Sequence, residues 1–130
     1  MRVEKEEING EVMAVFTPYS ETNPAPDELV KSTGVNVGFS LEGYHQGYLS
    51  NQYNLNDGDE ISMNITISPQ VSSNVGLYNH NTQTYGWPAG GLSSSGWYGV
   101  LTVSGNGKYS MAFKNNSNTT ANYSGSYTLP

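Results

Sequence analysis

Apolar and polar residues alternate along most of the chain after residue 34, with the period of two that a β-strand produces. The clearest example is the run in which Ile61, Met63, Ile65 and Ile67 alternate with polar residues. The same alternation marks residues 35–41, 75–77, 101–103, 109–113 and 123–129. Each of these strands has one apolar and one polar face, which is typical of antiparallel sheets that pack face to face.

Turn-forming residues separate the alternating segments, at residues 57–58, 90–91, 105–107 and 115–118. Nearer the start, the pattern predicts a strand at 12–16, a proline-rich loop at 18–26 and one helical turn at 27–31 that Asp27 would cap. We therefore predict an all-β fold, an antiparallel β-sandwich with a jelly-roll-like arrangement, and at most one short helical turn near the N-terminus.

The acidic residues are concentrated near the start of the chain. Seven of the eleven acidic residues lie within the first 31 positions, and none follows Glu60. A chain of 130 residues forms a single domain. We expect residues 1–11 to be a flexible acidic lead and residues 12–130 to be the sandwich.

Composition excludes several classes of protein. Only 12% of the residues are charged, which is about half the usual share. Five basic residues and a net charge of −6 do not suit a nucleic-acid partner. No apolar run approaches the roughly 20 residues that a membrane span needs. Without any cysteine, the chain has no disulfide, thiolate or Cys-ligated metal chemistry.

The same composition bears on localisation. Few lysines, no cysteine and many Asn, Ser, Thr, Gly and Tyr residues are typical of secreted proteins of Gram-positive bacteria. Residues 1–7 are charged and no apolar segment follows them, so the chain is either cytosolic or has lost a signal sequence. Composition favours the second alternative, and we expect a secreted, extracellular protein.

Residues 53–65 combine an aromatic residue, a leucine, a Gly-Asp turn and an alternating strand. Residues 75–78 contain a short predicted strand, residues 107–115 a Gly-x-Tyr strand that runs into an Asn turn, and residues 125–129 a closing strand. In this order, residues 53–129 resemble the opening, central, Gly-x-Tyr and closing strands of the bacterial pre-peptidase C-terminal (PPC) domain, a secreted sandwich. The whole chain also resembles small uncharacterised secreted proteins of bacilli. These resemblances imply a jelly-roll-like fold and export.

Catalysis is not expected, because groups for acid–base chemistry are scarce. After Lys31 the chain offers two histidines, His45 and His80, and four carboxylates, Glu42, Asp57, Asp59 and Glu60. No Gly-x-Ser-x-Gly nucleophile elbow is present. A histidine close to one of these carboxylates would be the feature that supports an enzyme.

Calcium is the one cofactor that the sequence suggests. Asp57, Asp59 and Glu60 crowd one predicted turn, together with Asn54 and Asn56. Such oxygen ligands suit a hard cation, although the spacing is not that of an EF-hand. The resemblance adds motivation, because some PPC relatives bind calcium near an acidic N-terminal segment. The alternative is a solvated hairpin turn, which turn chemistry favours.

Aromatic side chains are the strongest candidates for a binding surface. Several rings lie in stretches rich in Gly, Asn and Gln with weak alternation, where we expect loops. The candidate ligand-binding residues are Tyr44, His45, Tyr48, Tyr85, Trp87, Trp97 and Tyr98. Rigid rings offer a large contact area at low entropic cost, and neighbouring amides can bind hydroxyls, as carbohydrate binding requires. The alternative is that the rings cap the ends of a small sandwich.

Together these features predict a secreted, non-catalytic bacterial β-sandwich that acts as a binding or accessory module. The expected partner is an extracellular polysaccharide or a cell-wall polymer. A second hypothesis is a protein-interaction module, such as an inhibitor, a toxin or a component of a biofilm matrix, whose partner is a secreted or surface protein. An exposed apolar patch or an unpaired edge strand would favour the second hypothesis.

Overall fold

A computed structural model describes residues 2–5, 14–20 and 34–130. These residues contain twelve strands and one 3-10 turn. In chain order the elements are β1 (Arg2–Lys5), β2 (Ala14–Pro18), β3 (Val35–Leu41), β4 (His45–Tyr48), β5 (Tyr53–Leu55), β6 (Glu60–Ser68), β7 (Ser73–Asn79), β8 (Thr84–Gly86), the 3-10 turn (Ala89–Gly91), β9 (Leu92–Ser93), β10 (Gly96–Val103), β11 (Gly107–Asn115) and β12 (Ala121–Thr128).

The strands form two antiparallel sheets. The first, sheet A, has the order β1-β4-β11-β7-β8, with β5 also paired to β11 and β9 also paired to β7. The second, sheet B, has the order β2-β10-β6-β12-β3. The all-β antiparallel sandwich predicted from the sequence is thus confirmed. Within the described residues, no helix is long and apolar enough to cross a membrane.

The core lies between the two sheets, and it is built by the alternation seen in the sequence. Strand β6 buries each of its apolar residues, and its intervening polar residues face outward. Strands β11 and β12 contribute large aromatic residues, among them Tyr109, Phe113, Tyr123 and Tyr127. Because a pleated strand turns alternate side chains to opposite faces, the period of two predicted these buried positions correctly.

Several short strands differ from the sequence prediction. The stretches that contain the candidate rings were expected to be loops, but β4, β8, β9 and the start of β10 lie in these stretches. The short strands β4, β8 and β9 form because their backbones pair with β11 and β7, not because of an alternation of their own. The turn at residues 90–91 is the 3-10 turn.

The start of the chain also differs from expectation where it can be compared. Residues 2–5, expected in a flexible lead, form β1, whose backbone pairs with β4. The predicted strand at 12–16 corresponds to β2, which runs from Ala14 to Pro18. The predicted helical turn at 27–31 and the rest of the acidic lead lie outside the described residues.

The two sheets differ in the outer faces that they present. The outer face of sheet B carries hydroxyl and amide side chains, such as Ser62, Asn64, Thr66, Ser124 and Ser126. The outer face of sheet A carries rings, and two of its buried residues, Tyr85 and Ala112, are not part of the core between the sheets. Sheet A therefore has a second, smaller apolar layer on its outer side.

Candidate functional site

Four aromatic side chains form this outer layer on sheet A, and we call them the aromatic row. They are Tyr48 of β4, Tyr78 of β7, Tyr85 of β8 and Trp87, which follows β8. The register of the strands places the first three rings on one face of sheet A. Tyr48 is paired with Ala112 of β11, and Tyr78 is paired with Ser110 of β11 on one side and with Tyr85 of β8 on the other. Paired residues share a face, as do Ser110 and Ala112, which are two positions apart in one strand. The row thus runs across β4, β11, β7 and β8.

The rings of the aromatic row are in continuous contact. The centroids of Tyr48 and Tyr78 lie 4.0 Å apart in a stacked arrangement. Tyr78 meets Tyr85 edge to face at 4.8 Å, and Tyr85 stacks on Trp87 at 5.4 Å. Each such pair contributes about 0.5–1.5 kcal/mol beyond the area that it buries, so the row is held in a fixed arrangement.

Small residues beneath the rings make this arrangement possible. Ala112 and Gly76 are register partners at the centre of sheet A, and both are buried. A Cβ atom at Gly76 would lie 2.0 Å from the carbonyl oxygen of Gly86 and 2.9 Å from Cε3 of Trp87. Glycine at position 76 therefore allows β8 and Trp87 to lie directly against β7.

Replacing Gly76 with alanine is expected to lower the free energy of unfolding by roughly 1–3 kcal/mol, because the added methyl group meets backbone. Gly38 is the matched control, since a Cβ at this position in β3 would meet no atom within 4 Å. Gly38→Ala should leave stability unchanged or raise it by about 0.4–1 kcal/mol. Urea unfolding measures both variants, and equal effects at the two positions would contradict the close packing at Gly76.

Polar groups border the aromatic row near Trp87. The ammonium group of Lys114 lies 5.9 Å from the centroid of the Trp87 ring, within the range of a cation–π contact. Gln46 lies opposite Lys114 in the register of β4 and β11 and is 0% exposed. Among the described residues, neither amide atom of Gln46 nor the buried indole nitrogen of Trp87 has a hydrogen-bond partner. A buried polar group left in this way costs about 1–3 kcal/mol.

His80 contacts the aromatic row at the end away from Trp87, beside Tyr48 and Tyr78. Its ring lies edge-on to Tyr48 at 5.2 Å and to Tyr78 at 4.9 Å. Its Nε2 lies 2.8 Å from the Ser110 hydroxyl oxygen, and this hydroxyl donates to the carbonyl of Asn51 at 2.7 Å. Because a serine hydroxyl has one hydrogen, Nε2 of His80 is the donor in its own bond.

These two hydrogen bonds fix the orientation of the His80 ring and do not activate Ser110 as a nucleophile. A histidine that donates to a serine hydroxyl is not placed to remove the proton from it, and Ser110 is fully buried. Desolvation by burial, and then the charge of Lys108, lower the pKa of His80 below its ordinary value. Both effects favour the neutral imidazole, and the hydrogen bond to Ser110 then selects the tautomer that carries its hydrogen on Nε2.

Tyr44 and His45 lie apart from the row, around the turn between β3 and β4. Tyr44 has a positive φ of 61° and is 54% exposed. His45 donates from Nδ1 to the Gly43 carbonyl, and its Nε2 lies 4.0 Å from the carboxylate of Glu42. This histidine does approach a carboxylate, but the pair is longer than the roughly 3 Å of direct proton transfer, and Glu42 is 80% exposed.

The structure also separates Trp97 and Tyr98, which are consecutive in β10. Trp97 is 1% exposed, lies in the core and donates its indole N–H to the Gly91 carbonyl at 2.7 Å. Tyr98 is 48% exposed on the outer face of sheet B, where its ring meets that of Tyr19. Neither residue belongs to the aromatic row.

The acidic turn lies between β5 and β6. Asp57 accepts a hydrogen bond from the backbone of Gly105, and Asp59 accepts one from the backbone of Asn56, both at 2.8 Å. Glu60 begins β6 and is exposed. Across the described ranges, no group of three or more His, Cys, Asp or Glu side chains is arranged to hold a metal ion. Structural calcium at this turn stays a prediction.

Sequence reasoning identified three members of the row, Tyr48, Tyr85 and Trp87, but did not select Tyr78 or Lys114. A signal for both was present. Tyr78 has the parity opposite to the core residues Val75 and Leu77 of β7, and Lys114 has the parity opposite to the core residues Tyr109, Met111 and Phe113 of β11. Both therefore belong on the outer face of whichever sheet contains these strands.

Comparison with known proteins finds no match for the chain, whether among family models, curated proteins or solved structures.

Proposed function

We propose that the chain is a non-catalytic binding module that recognises an extracellular glycan or a cell-wall polymer, with the aromatic row as its contact surface. The observation that carries the proposal is the continuous contact of Tyr48, Tyr78, Tyr85 and Trp87 across one face of sheet A. Tyr48, Tyr78 and Trp87 are partly exposed, and Tyr85 lies buried among them. Rings fixed in this way give contact area without losing much side-chain entropy on binding.

Polar side chains beside the rings support the same proposal. Asn74 lies in register with Lys114, on the outer face of sheet A, and both are partly exposed. Sugar rings combine apolar faces with hydroxyl groups, so a surface that recognises them needs flat apolar area beside hydrogen-bonding groups. A role without catalysis is supported by the Ser110 hydroxyl, which donates to the Asn51 carbonyl and accepts from His80, so that His80 does not act as its base.

Export forms part of this proposal. The weakly charged, cysteine-free composition and the resemblance of residues 53–129 to the PPC domain both support a secreted protein of a Gram-positive bacterium. An extracellular location would bring the aromatic row within reach of polysaccharides and wall polymers.

Retention on insoluble glycans tests the proposal. Purified peptidoglycan and a panel of insoluble polysaccharides should retain the wild-type chain, and Tyr48→Ala and Trp87→Ala should weaken binding at least about tenfold, or about 1.4 kcal/mol. Tyr98→Ala is the matched control, because it removes an exposed ring from the opposite sheet. Its retention should equal that of the wild type.

Thermal melts of the variants separate lost binding from lost folding, since Trp87 and Tyr48 also stabilise the row. No retention on any glycan, or equal retention of all three variants and the wild type, would contradict the proposal.

One observation favours the second hypothesis, a protein-interaction module. Among the described strands, β2 lies at an edge of sheet B and presents Val15, which is 53% exposed. A partner strand could pair with such an edge. Co-elution of a protein from concentrated culture fluid that Val15→Lys abolishes and Trp87→Ala preserves would support this function over glycan binding.

A further inference from the structure

Strand β3 lies at one edge of sheet B. It pairs with β12 along its whole length, from Val35 to Leu41, and with none of the other described strands. The free side of such a strand presents a row of backbone N–H and C=O groups. The seven residues of β3 carry no charge and include no proline. Strands with these properties pair readily with another chain.

The other strands at the edges of the described sheets differ from β3. Strand β1 contains three charged residues, Arg2, Glu4 and Lys5, and β2 ends at Pro18. Strands β5, β8 and β9 have three residues or fewer. Charge, proline and short length are features by which native proteins keep the edges of their sheets from pairing. Among the described edges, β3 alone lacks all three.

The side chains of β3 are complementary to those of a second β3. In the antiparallel register that overlaps all seven residues, apolar residues lie opposite apolar ones and polar residues opposite polar ones. The pairs are Val35 with Leu41, Asn36 with Ser40, Val37 with Phe39, and Gly38 with the Gly38 of the second copy. Val35 and Phe39 are only partly buried in the single chain. Pairing of two copies would therefore cover apolar surface as well as backbone groups.

Charge at the end of β3 favours the antiparallel arrangement. Glu42 directly follows the strand, and its side chain is 80% exposed. In the register of full overlap, the Glu42 residues of two copies lie at opposite ends of the strand pair, about 27 Å apart at about 3.4 Å per residue. This separation exceeds the roughly 8 Å over which salt screens charges at physiological ionic strength. A parallel pair would place the two carboxylates side by side.

We infer that two copies of the chain pair through β3, antiparallel and about a two-fold axis, so that their two sheets B form one continuous sheet. Each copy uses its β3 edge once, and the assembly therefore closes at a dimer. The axis that relates antiparallel strands of one sheet is perpendicular to that sheet. Both copies thus keep sheet A, with its aromatic row, on the same side of the dimer.

Sedimentation equilibrium over a series of protein concentrations tests the dimer. One seven-residue strand is a small interface, so we expect monomer and dimer to interconvert, with twice the mass of one chain approached at high concentration. Asn36→Lys together with Ser40→Lys places like charges opposite each other in two pairs, at exposed positions. This lysine pair should weaken the dimer at least about tenfold, although it lowers the net negative charge of the chain.

Two further double variants make the test specific. Asn36→Lys together with Ser40→Glu places opposite charges in the same two pairs, and it should restore the dimer. Asn64→Lys together with Ser68→Lys is the matched control, because it adds the same two charges, with the same spacing, at exposed positions of β6 inside sheet B. This control should associate like the wild type.

Each outcome of the sedimentation series decides the inference. A wild-type monomer at every concentration, a dimer that survives the lysine pair in β3, or a Lys–Glu variant that stays monomeric would overturn it. Urea unfolding at low protein concentration shows that the variants remain folded, since exposed substitutions should change stability by less than about 0.5 kcal/mol each.

A second readout rests on the proposed function. Two aromatic rows on one side of a dimer can hold one insoluble polymer together, so the lysine pair in β3 should weaken retention on it at least about tenfold. Titration with a short soluble oligosaccharide of the same polymer should give the wild-type affinity per chain. If no glycan binds, the proposed function is contradicted, and sedimentation still decides whether the dimer forms.

Discussion

Replacing Trp97 with alanine is expected to lower the free energy of unfolding by about 3–5 kcal/mol, the range for removing a large aromatic side chain from a core. The Trp97 ring lies 5.8 Å from that of Phe113 and stacks on that of Tyr123 at 6.1 Å. Its removal also leaves the buried Gly91 carbonyl without its indole donor. Because domains of this size are stable by only about 5–15 kcal/mol, the variant should lose a large part of its stability.

Chemical denaturation with tryptophan fluorescence measures this loss, with Trp87 as the remaining reporter. Tyr98→Ala is the control, since it changes the next residue of β10 on the solvent side and should cost less than about 1 kcal/mol. A loss for Trp97→Ala no larger than that for Tyr98→Ala would show that Trp97 is not a core residue. Because Trp97 lies in the core, Trp97→Ala cannot serve as a test of ligand binding.

Replacing Asn115 with aspartate is expected to cost about 3–5 kcal/mol at pH 7, because it places an uncompensated charge in a buried site. The Asn115 amide nitrogen donates to the carbonyls of Leu41 at 3.1 Å and Thr119 at 2.7 Å. Its oxygen accepts from both the backbone and the hydroxyl of Ser117. Aspartate has nearly the same shape, but it turns a second acceptor towards two carbonyl oxygens.

The effect of Asn115→Asp should depend on pH with a predictable sign. Burial and the facing carbonyls raise the pKa of the new carboxyl in the folded protein above its unfolded value of about 3.9. The folded state therefore binds this proton more tightly, and the variant should recover stability relative to the wild type as pH falls from 7 towards 4.

Thermal melts across this range measure the recovery. Asn118→Asp is the matched control, because it makes the same charge change at an exposed position in the same turn. It should change stability by less than about 0.5 kcal/mol at pH 7. If the difference in melting temperature between Asn115→Asp and Asn118→Asp did not change with pH, this would contradict the burial of the Asn115 side chain among its hydrogen-bond partners.

The sequence predicted long strands well because their alternation is a local property. In β6 the four apolar residues from Ile61 to Ile67 repeat without interruption, and this pattern determines which face is buried wherever the strand lies. The same reasoning extends to Trp97, which has the parity of the buried residues Leu101 and Val103. Continuing that alternation across Gly99 would have placed Trp97 in the core.

Short strands could not be predicted in the same way. Strand β8 contains three residues, one of them glycine, and it exists because Tyr85 and its neighbours pair with β7. Pairing of this kind depends on which segments meet in space, and this information is not carried by any one segment. For the same reason, the sequence could nominate Tyr48, Tyr85 and Trp87 as binding residues but could not show that they share one face.

The position of β12 in sheet B has a consequence for how the protein is made. Strand β12 comes last among the strands of the described chain, yet it lies between β3 and β6, which do not pair with each other. Sheet B therefore cannot be completed in the order of synthesis, because β3 and β6 are connected within the sheet only after β12, residues 121–128, has paired with both of them. Contacts between such distant segments fold slowly. A nascent chain that ends before residue 121 leaves both strands with open edges, so it needs residues 121–128 to cover these edges and avoid aggregation.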